Sequence, residues 1–306
     1  MSTQIAGYLI ERYFKESKPV SIASSSHWEE YSKYQKINDG VNYTKVEDVK
    51  LSGFGFGDFK NKSIVNFFIN VPTQIYLKTK IFPKCNRQTL KLARKNAKKS
   101  TQLFSHDLAR MVLTLDLFEH FIPDLNEKRV VIIGDGYGRL GTLIKAKFPQ
   151  SKIIYVNLGR TLLFDLVYSK KTFPNSVVHL VDHEPNLSAD FNFIEAEKVS
   201  DVKIMGDLFI NIASMQEMNY SQIQEYFKII QNQESGTMFY CCNRESKELP
   251  DGSVIEFNNY PWGDLKVLLK EYCPWHQEFP MNRPPFKGKV DGPILHSMSL
   301  VESKPL

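Results

Sequence analysis

The stretch Arg129-Val130-Val131-Ile132-Ile133-Gly134-Asp135-Gly136-Tyr137-Gly138-Arg139-Leu140-Gly141 constrains this chain more than any other. A short apolar run ends in a glycine-rich turn, and the turn opens a helical segment, Thr142 to Phe148. That is how a strand, a ligand-cradling loop and a helix N-terminus are written in sequence. Glycine at 134, 136 and 138 lets the backbone turn sharply and lets a ligand lie against it with no Cβ in the way. A nucleotide-like cofactor is the expected ligand.

Two cofactors compete for this loop. Gly136-x-Gly138-x-x-Gly141 formally satisfies the dinucleotide fingerprint of NAD proteins. Asp135, however, sits inside the glycine run, where an acid repels a pyrophosphate and suits a ligand with cationic groups. S-adenosyl-L-methionine carries a sulfonium and an ammonium and no phosphate. The NAD pattern also asks for an acid at the end of the next strand. Here the next strand, Lys152–Val156, ends at Asn157, whose amide can still bond ribose hydroxyls. The loop therefore favours S-adenosyl-L-methionine over NAD, with Gly134, Asp135, Gly136, Tyr137, Gly138 and Asn157 as expected cofactor contacts.

With 306 residues the chain holds one large domain or two modest ones. Its 42% hydrophobic and 24% charged content is that of an ordinary globular protein. A net charge of +5 permits an anionic substrate without demanding nucleic acid. No apolar run approaches the ~18 residues of a membrane span, and Met1 to Lys18 lacks a signal-peptide pattern. Cys85, Cys241, Cys242 and Cys273 show no CxxC or Cys/His ligand spacing, so reduced thiols in a cytoplasmic protein are the simplest reading. Asp182-His183-Glu184 has metal-binding residue types, but neighbours in sequence point apart, and the trio reads as a polar turn. No metal is expected.

Residues 1–125 read as a mostly helical region and residues 126–306 as the cofactor domain. Met1 to Lys36 reads as helix broken at Pro19, Asp39 to Asp58 as a glycine-rich connection, and Ser63 to Ile81 as ambiguous around Pro72. Asn86 to Phe121 reads as one long helical stretch, basic in its first half, where a solvated face is the plain reading and an anion-facing surface the sharper one. Beyond Lys128, strands and helices alternate. Strands are expected at Val130–Ile133, Lys152–Val156, Phe191–Glu195 (with Val177–Val181 competing), Asp207–Ile212, Thr237–Cys241 and Pro293–Val301. Helices are expected at Thr161–Lys171, Ser221–Gln231 and Trp262–Glu271. Such alternation predicts a Rossmann-like α/β sheet, mostly parallel, with helices on both faces. Ligands then bind at the carboxyl ends of the strands, which adds Glu195 and Ser214 to the expected cofactor contacts.

The loop from Ile133 to Gly141 resembles the first motif of class I S-adenosylmethionine-dependent methyltransferases. The stretch Asp207-Leu208-Phe209-Ile210-Asn211-Ile212-Ala213-Ser214-Met215-Gln216-Glu217-Met218-Asn219 is similar to the sugar O-methyltransferases found among bacterial surface-polysaccharide genes. Tyr260-Pro261-Trp262, Gly292-Pro293-Ile294-Leu295-His296 and Ser26-His27-Trp28 resemble the same family. Asn157 departs from it, since class I methyltransferases usually place an acid there. The resemblance implies a sugar acceptor, carried by a nucleotide or a lipid. The alternatives are a methyltransferase for another small molecule or RNA, and a non-catalytic methyltransferase-like binding subunit.

Methyl transfer to a hydroxyl is an in-line displacement in which the protein supplies alignment and, for a protonated sugar hydroxyl, a general base. Glu217, leaving the fourth strand, is the first candidate, and its plain reading is a helix N-terminal carboxylate. His296 is the second, against the reading of an ordinary strand histidine. His27, His106, His179, His183 and His276 have no catalytic motif behind them. Tyr137, Trp262 and Trp275 are candidates for stacking on a sugar.

Overall fold

Runs of valine, isoleucine and phenylalanine too apolar for a surface strand form the middle of one sheet buried on both faces. The computed structural model describes residues 1–15, 25–31, 36–37, 45–49, 51–52, 71, 74–100, 104–280, 287–289 and 292–302. Its main strands are β1 (Arg129–Ile133), β2 (Lys152–Asn157), β3 (Val178–Leu180), β4 (Phe191–Glu195), β5 (Leu208–Ile212), β6 (Met238–Arg244), β7 (Lys266–Tyr272) and β8 (Ile294–Leu300). They lie in the order β7-β8-β6-β5-β1-β2-β4-β3. All neighbours are parallel except β8, which runs antiparallel between β6 and β7.

The order from β4 through β2, β1 and β5 to β6 is that of the doubly wound fold, with the edge strand β3 added. Strand order reverses between β1 and β5, so a crevice opens beyond their carboxyl ends. The crossover helices are α5 (Arg139–Lys147), α6 (Gly159–Thr172) and α7 (Tyr220–Gln231). The fold is the Rossmann-like α/β sheet flanked by helices that the alternation predicts.

Ahead of the sheet come α1 (Ser2–Ile10), α2 (Ser26–Tyr31), α3 (Arg87–Lys99) and α4 (His106–Phe121). Ile5 and Leu9 of α1, Leu90 of α3 and Phe118 of α4 share one apolar cluster with Val130, Tyr155 and Tyr240 of the sheet. The basic residues of α3 are mostly exposed, the solvated face of the plain reading.

Three expectations need correction. Asn86–Phe121 is two helices, because Ser105 accepts from the Leu108 amide at 3.2 Å and starts a new one. Trp262–Glu271 is not helical. Its second half is strand β7, because pairing along β8 outweighs the helix preference of Lys266-Val267-Leu268-Leu269-Lys270-Glu271. Lys36 belongs to a short strand paired with Ser52, not to the N-terminal helix. Val177–Val181 and Phe191–Glu195 do not exclude each other, since both form strands. Pro19, Pro72 and most of Asp39–Asp58 and Ser63–Ile81 lie outside the described residues. No helix among the described residues is long and apolar enough to cross a membrane.

At the opposite end of the sheet from the crevice, Arg129 holds β1 to β5. Its Nε and Nη2 donate to Asp207 at 3.0 and 3.1 Å, and its backbone amide donates to the same carboxylate at 2.7 Å. Burial pushes Asp207 up, but the Arg129 bonds and charge outweigh it and hold the carboxyl below its ordinary value. A carboxylate with a depressed native value stabilises the fold above its unfolded value and loses that contribution as pH falls through the native one. Asp207→Asn should therefore cost on the order of 1–3 kcal/mol at neutral pH and much less in acid. Urea unfolding of both proteins at neutral pH and near pH 3 checks this; an equal deficit at both would refute it.

Candidate functional site

Ile133 ends β1, and Gly134, Gly136 and Gly138 then adopt positive φ of 79°, 80° and 61°. A Cβ at Gly134 would lie 2.1 Å from the Ser214 hydroxyl oxygen, so this glycine lets the β5 exit approach the loop. A Cβ at Gly136 would meet nothing within 4 Å and would project into open space. Gly136 is thus the place where the loop is bare for a ligand.

Asp135 turns inward. Its Oδ1 accepts from the amides of Arg139 (3.0 Å) and Leu140 (3.3 Å), and its Oδ2 from that of Gly141 (2.9 Å). One carboxylate thereby caps three of the orphan donors at the start of α5. Burial pushes Asp135 up to about 6, against the pull of these amides. The charge expected to meet a cationic ligand is spent on the helix.

Asn157 is equally engaged. Its Nδ2 donates to Asp165 at 2.9 Å, and its Oδ1 accepts from the Leu158 amide at 3.0 Å. Asp165, on α6, also accepts from the Gly138 amide at 2.7 Å. Burial, then the nearby Asp135 charge, keep Asp165 well above the usual carboxylate range. A polar chain from β2 through α6 therefore fixes the glycine loop. Tyr137 is half-buried, its ring edge-on to Phe164 at 5.4 Å.

Across the crevice, three buried amides lock the β5 exit. Asn211 donates to the Ile133 carbonyl at 2.9 Å and accepts from the Met215 amide at 3.0 Å. Asn243 donates to Asn211 at 2.9 Å and accepts from the Gln216 amide at 3.1 Å. Gln216 accepts from the Arg244 amide at 2.7 Å. The turn they hold includes Ala213 at φ 55°, a left-handed conformation unusual for a residue with a Cβ.

The cavity between these elements encloses about 80 Å³ and includes Gly134, Gly136, Asn157, Ser214 and Glu217 in its wall. Trp28 of α2 forms part of the same wall. Glu217 is clamped by Lys247 at 2.8 Å and His27 at 3.4 Å, while the Ser25 hydroxyl donates to its carbonyl. Burial pushes the Glu217 carboxyl up, but the His27 hydrogen bond and the Lys247 charge prevail and hold it below its ordinary value. An ionised carboxylate thus faces the crevice.

The other expected residues stand apart from the cavity. Glu195 is fully buried at the end of β4, where it accepts from the Tyr13 hydroxyl and pairs with Lys198 at 2.6 Å and Arg12 at 3.6 Å. It anchors the N-terminal segment beside the strand ends. His296 is fully buried on β8, with Nδ1 3.0 Å from the Tyr240 hydroxyl and Nε2 3.4 Å from Glu271. Trp262 packs in an aromatic cluster with Phe227 and Phe257, and Trp275 donates to the Thr114 hydroxyl at 3.0 Å. Asp182-His183-Glu184 is an exposed bend. Sequence reasoning missed His27, Trp28 and Lys247 as crevice residues. Ser26-His27-Trp28 carried a signal through its family likeness, whereas Lys247 carried none.

No protein-family model matches the sequence, and no curated protein matches it. Among solved structures, a Thermoplasma acidophilum protein aligns at 10% identity and a TM-score of 0.46, over 71% of this chain and 98% of its own. The magnesium protoporphyrin IX methyltransferase of Synechocystis, solved with SAH bound, aligns at 7% identity and a TM-score of 0.43, over 77% and 100%. The mitomycin 7-O-methyltransferase aligns at 10% identity and a TM-score of 0.39, over 70% and 60%.

The Asn157–Asp165 bond decides what an acid at 157 would do. Asn157→Asp sets a second carboxylate against Asp165, both buried and with no cation added. At neutral pH the variant should lose about 3–5 kcal/mol, the scale of an uncompensated buried charge. Carboxyls whose native values are raised stabilise the fold when protonated, so the deficit should shrink as pH falls toward 5. Denaturant titrations at pH 5 and pH 8 check this, and a variant as stable as wild type at pH 8 would overturn it.

Proposed function

We propose that this chain is a cytoplasmic S-adenosyl-L-methionine-dependent O-methyltransferase acting on a sugar hydroxyl, in surface polysaccharide biosynthesis. The capped start of α5 carries the cofactor reading. A dinucleotide sets its pyrophosphate on the first amides of that helix. Here Asp135 occupies those amides and adds a negative charge beside them. A nucleoside cofactor without phosphate, bearing positive charge, fits such a loop, and NAD does not.

Gly136, Ser214 and Asn157 would touch the cofactor, since they line the cavity. Asp135, Gly138 and Glu195 act as positioning residues, through the loop and the strand ends. Gly134 and Tyr137 complete the loop's contribution. When bound, the cofactor supplies an electrophilic methyl group. The cavity of about 80 Å³ is smaller than the roughly 300–1,000 Å³ of pockets that bury a ligand of this size. Uptake therefore requires the cavity wall, of which Trp28 of α2 is a part, to give way. The resemblance of residues 207–219 supports a sugar, linked to a nucleotide or lipid, as acceptor. Residues 1–125 form the cap on the acceptor side and residues 126–306 the cofactor domain.

Calorimetric titration tests the cofactor. S-adenosylhomocysteine should bind in the micromolar range, about 7–8 kcal/mol, and NAD should give no heat of binding. Gly136→Val fills the open space at the loop and should abolish the heat while the far-ultraviolet circular dichroism stays native. Normal binding by this variant would place the cofactor elsewhere.

Glu217 is the proposed base. It is ionised, half-buried and in the cavity wall, and so able to take the acceptor's proton. Glu217→Gln keeps the shape and removes the charge. On an acceptor that the wild type methylates, turnover should fall roughly 10²–10⁴-fold with little change in cofactor affinity. His296→Ala, tested beside it, separates the second candidate. Wild-type turnover in the Gln variant would leave alignment, without a base at 217, as the better account.

A further inference from the structure

We propose that Cys242, Cys273 and His276 form a metal site for a thiophilic divalent cation, with zinc as the expected ion. Their three donor atoms lie within 4.8 Å of one another, and all three residues are buried. Zinc binds thiolate sulfur at about 2.3 Å and imidazole nitrogen at about 2.0–2.1 Å, so small side-chain rotations bring one ion to all three. Two soft sulfurs and one imidazole are a donor set that selects zinc over magnesium or calcium.

His276 supplies the second, independent observation. It is 3% exposed, and its Nε2 has no hydrogen-bond partner. A buried imidazole nitrogen left unbonded costs free energy, which coordination to a metal would remove. Charge also balances. Two thiolates cancel the ion's two positive charges, so the buried Arg110 nearby meets a neutral centre.

A disulfide between the two cysteines does not fit. Cys242 is on β6, opposite His296 of β8, and Cys273 follows β7, bonded to the Ile294 carbonyl on the other side of β8. Two strand spacings separate their backbones, about 9–10 Å, beyond the reach of a disulfide at about 7 Å. An ion bridging the sulfurs needs no such approach.

Pro274 and Trp275 form the turn between two of the ligands, and the third comes from a different strand. The ion would therefore pin the turn after β7 to the end of β6 and couple metal binding to folding. Its fourth position is left to water, as in three-ligand zinc sites. The site shares no residue with the crevice cavity, and it stands or falls separately from the methyltransferase reading.

The test uses the full chain, stripped of metal by a chelator and then given zinc or cobalt(II). Atomic emission should find about one zinc per chain. The cobalt form should show thiolate-to-cobalt charge-transfer absorption and the visible bands of a tetrahedral ion. Cys85→Ser should leave these bands intact. The Cys242→Ser, Cys273→Ser double variant should lose them and bind zinc at least tenfold more weakly. If that variant does not fold, His276→Gln, which keeps both sulfurs, should weaken zinc at least tenfold and shift the cobalt bands. Thermal melts of wild type should rise with zinc and fall with chelator. Wild type that takes up no zinc and gives no thiolate bands overturns the site, as do bands that survive in a folded double variant.

Discussion

The three amides that Asp135 draws to itself are the contact on which the crevice depends. A helix that begins in a buried corner has donors to satisfy. In this chain the acid inside the glycine run satisfies them without help from a ligand. The loop is consequently complete before any cofactor arrives. That removes the usual reason for a phosphate to bind there, and it leaves the backbone at Gly136, where a Cβ would meet nothing within 4 Å, as the open part of the loop. A single side chain thus sets the shape of the loop and occupies the helix-end amides.

The same economy runs through the strand ends. The carboxyl ends of β1, β2 and β5 are tied by side-chain amides and one carboxylate in addition to loop backbone, where the Gly134 amide donates to the Val156 carbonyl at 2.9 Å. Asn211 reaches the end of β1, Asn157 reaches Asp165, and Asp165 reaches the Gly138 amide. Buried polar groups that are fully paired rigidify what they join. The Ala213 backbone, costly in a free chain, is tolerated because both sides of its turn are held in this way.

Much of this was legible in the sequence, for physical reasons that differ from element to element. The apolar runs at 130–133, 152–156 and 208–212 announce buried strands because parallel strands between helix layers have no polar face. The glycine loop announces itself because positive φ demands glycine. Strand β7 has no strand signature in sequence because it lies at the sheet edge with most of its side chains exposed. It has neither alternation nor a buried run, and only its partner β8 makes it a strand. The break near Ser105 needed attention to a capping serine rather than to periodicity. The inward turn of Asp135 and Asn157 could not be read at all, because the partner of Asn157, Asp165, lies on another element and its reach depends on tertiary placement. The Cys242–Cys273–His276 cluster was hidden likewise: two of its members share a turn, and the third arrives on another strand.

Glu217 shows how charge accounting bears on the proposed uptake of a cofactor. A buried carboxylate that loses its only cation is left uncompensated, at a cost of several kcal/mol. Glu217 has two partners from different parts of the chain, His27 on α2 and Lys247 on the short strand Ser246–Glu248. The two contacts are independent, and loss of the one to His27 would leave the 2.8 Å pairing with Lys247 in place. Both pairings hold the acid ionised, the His27 hydrogen bond contributing most and the Lys247 charge next, so the carboxylate is kept charged by contacts from two separate parts of the chain.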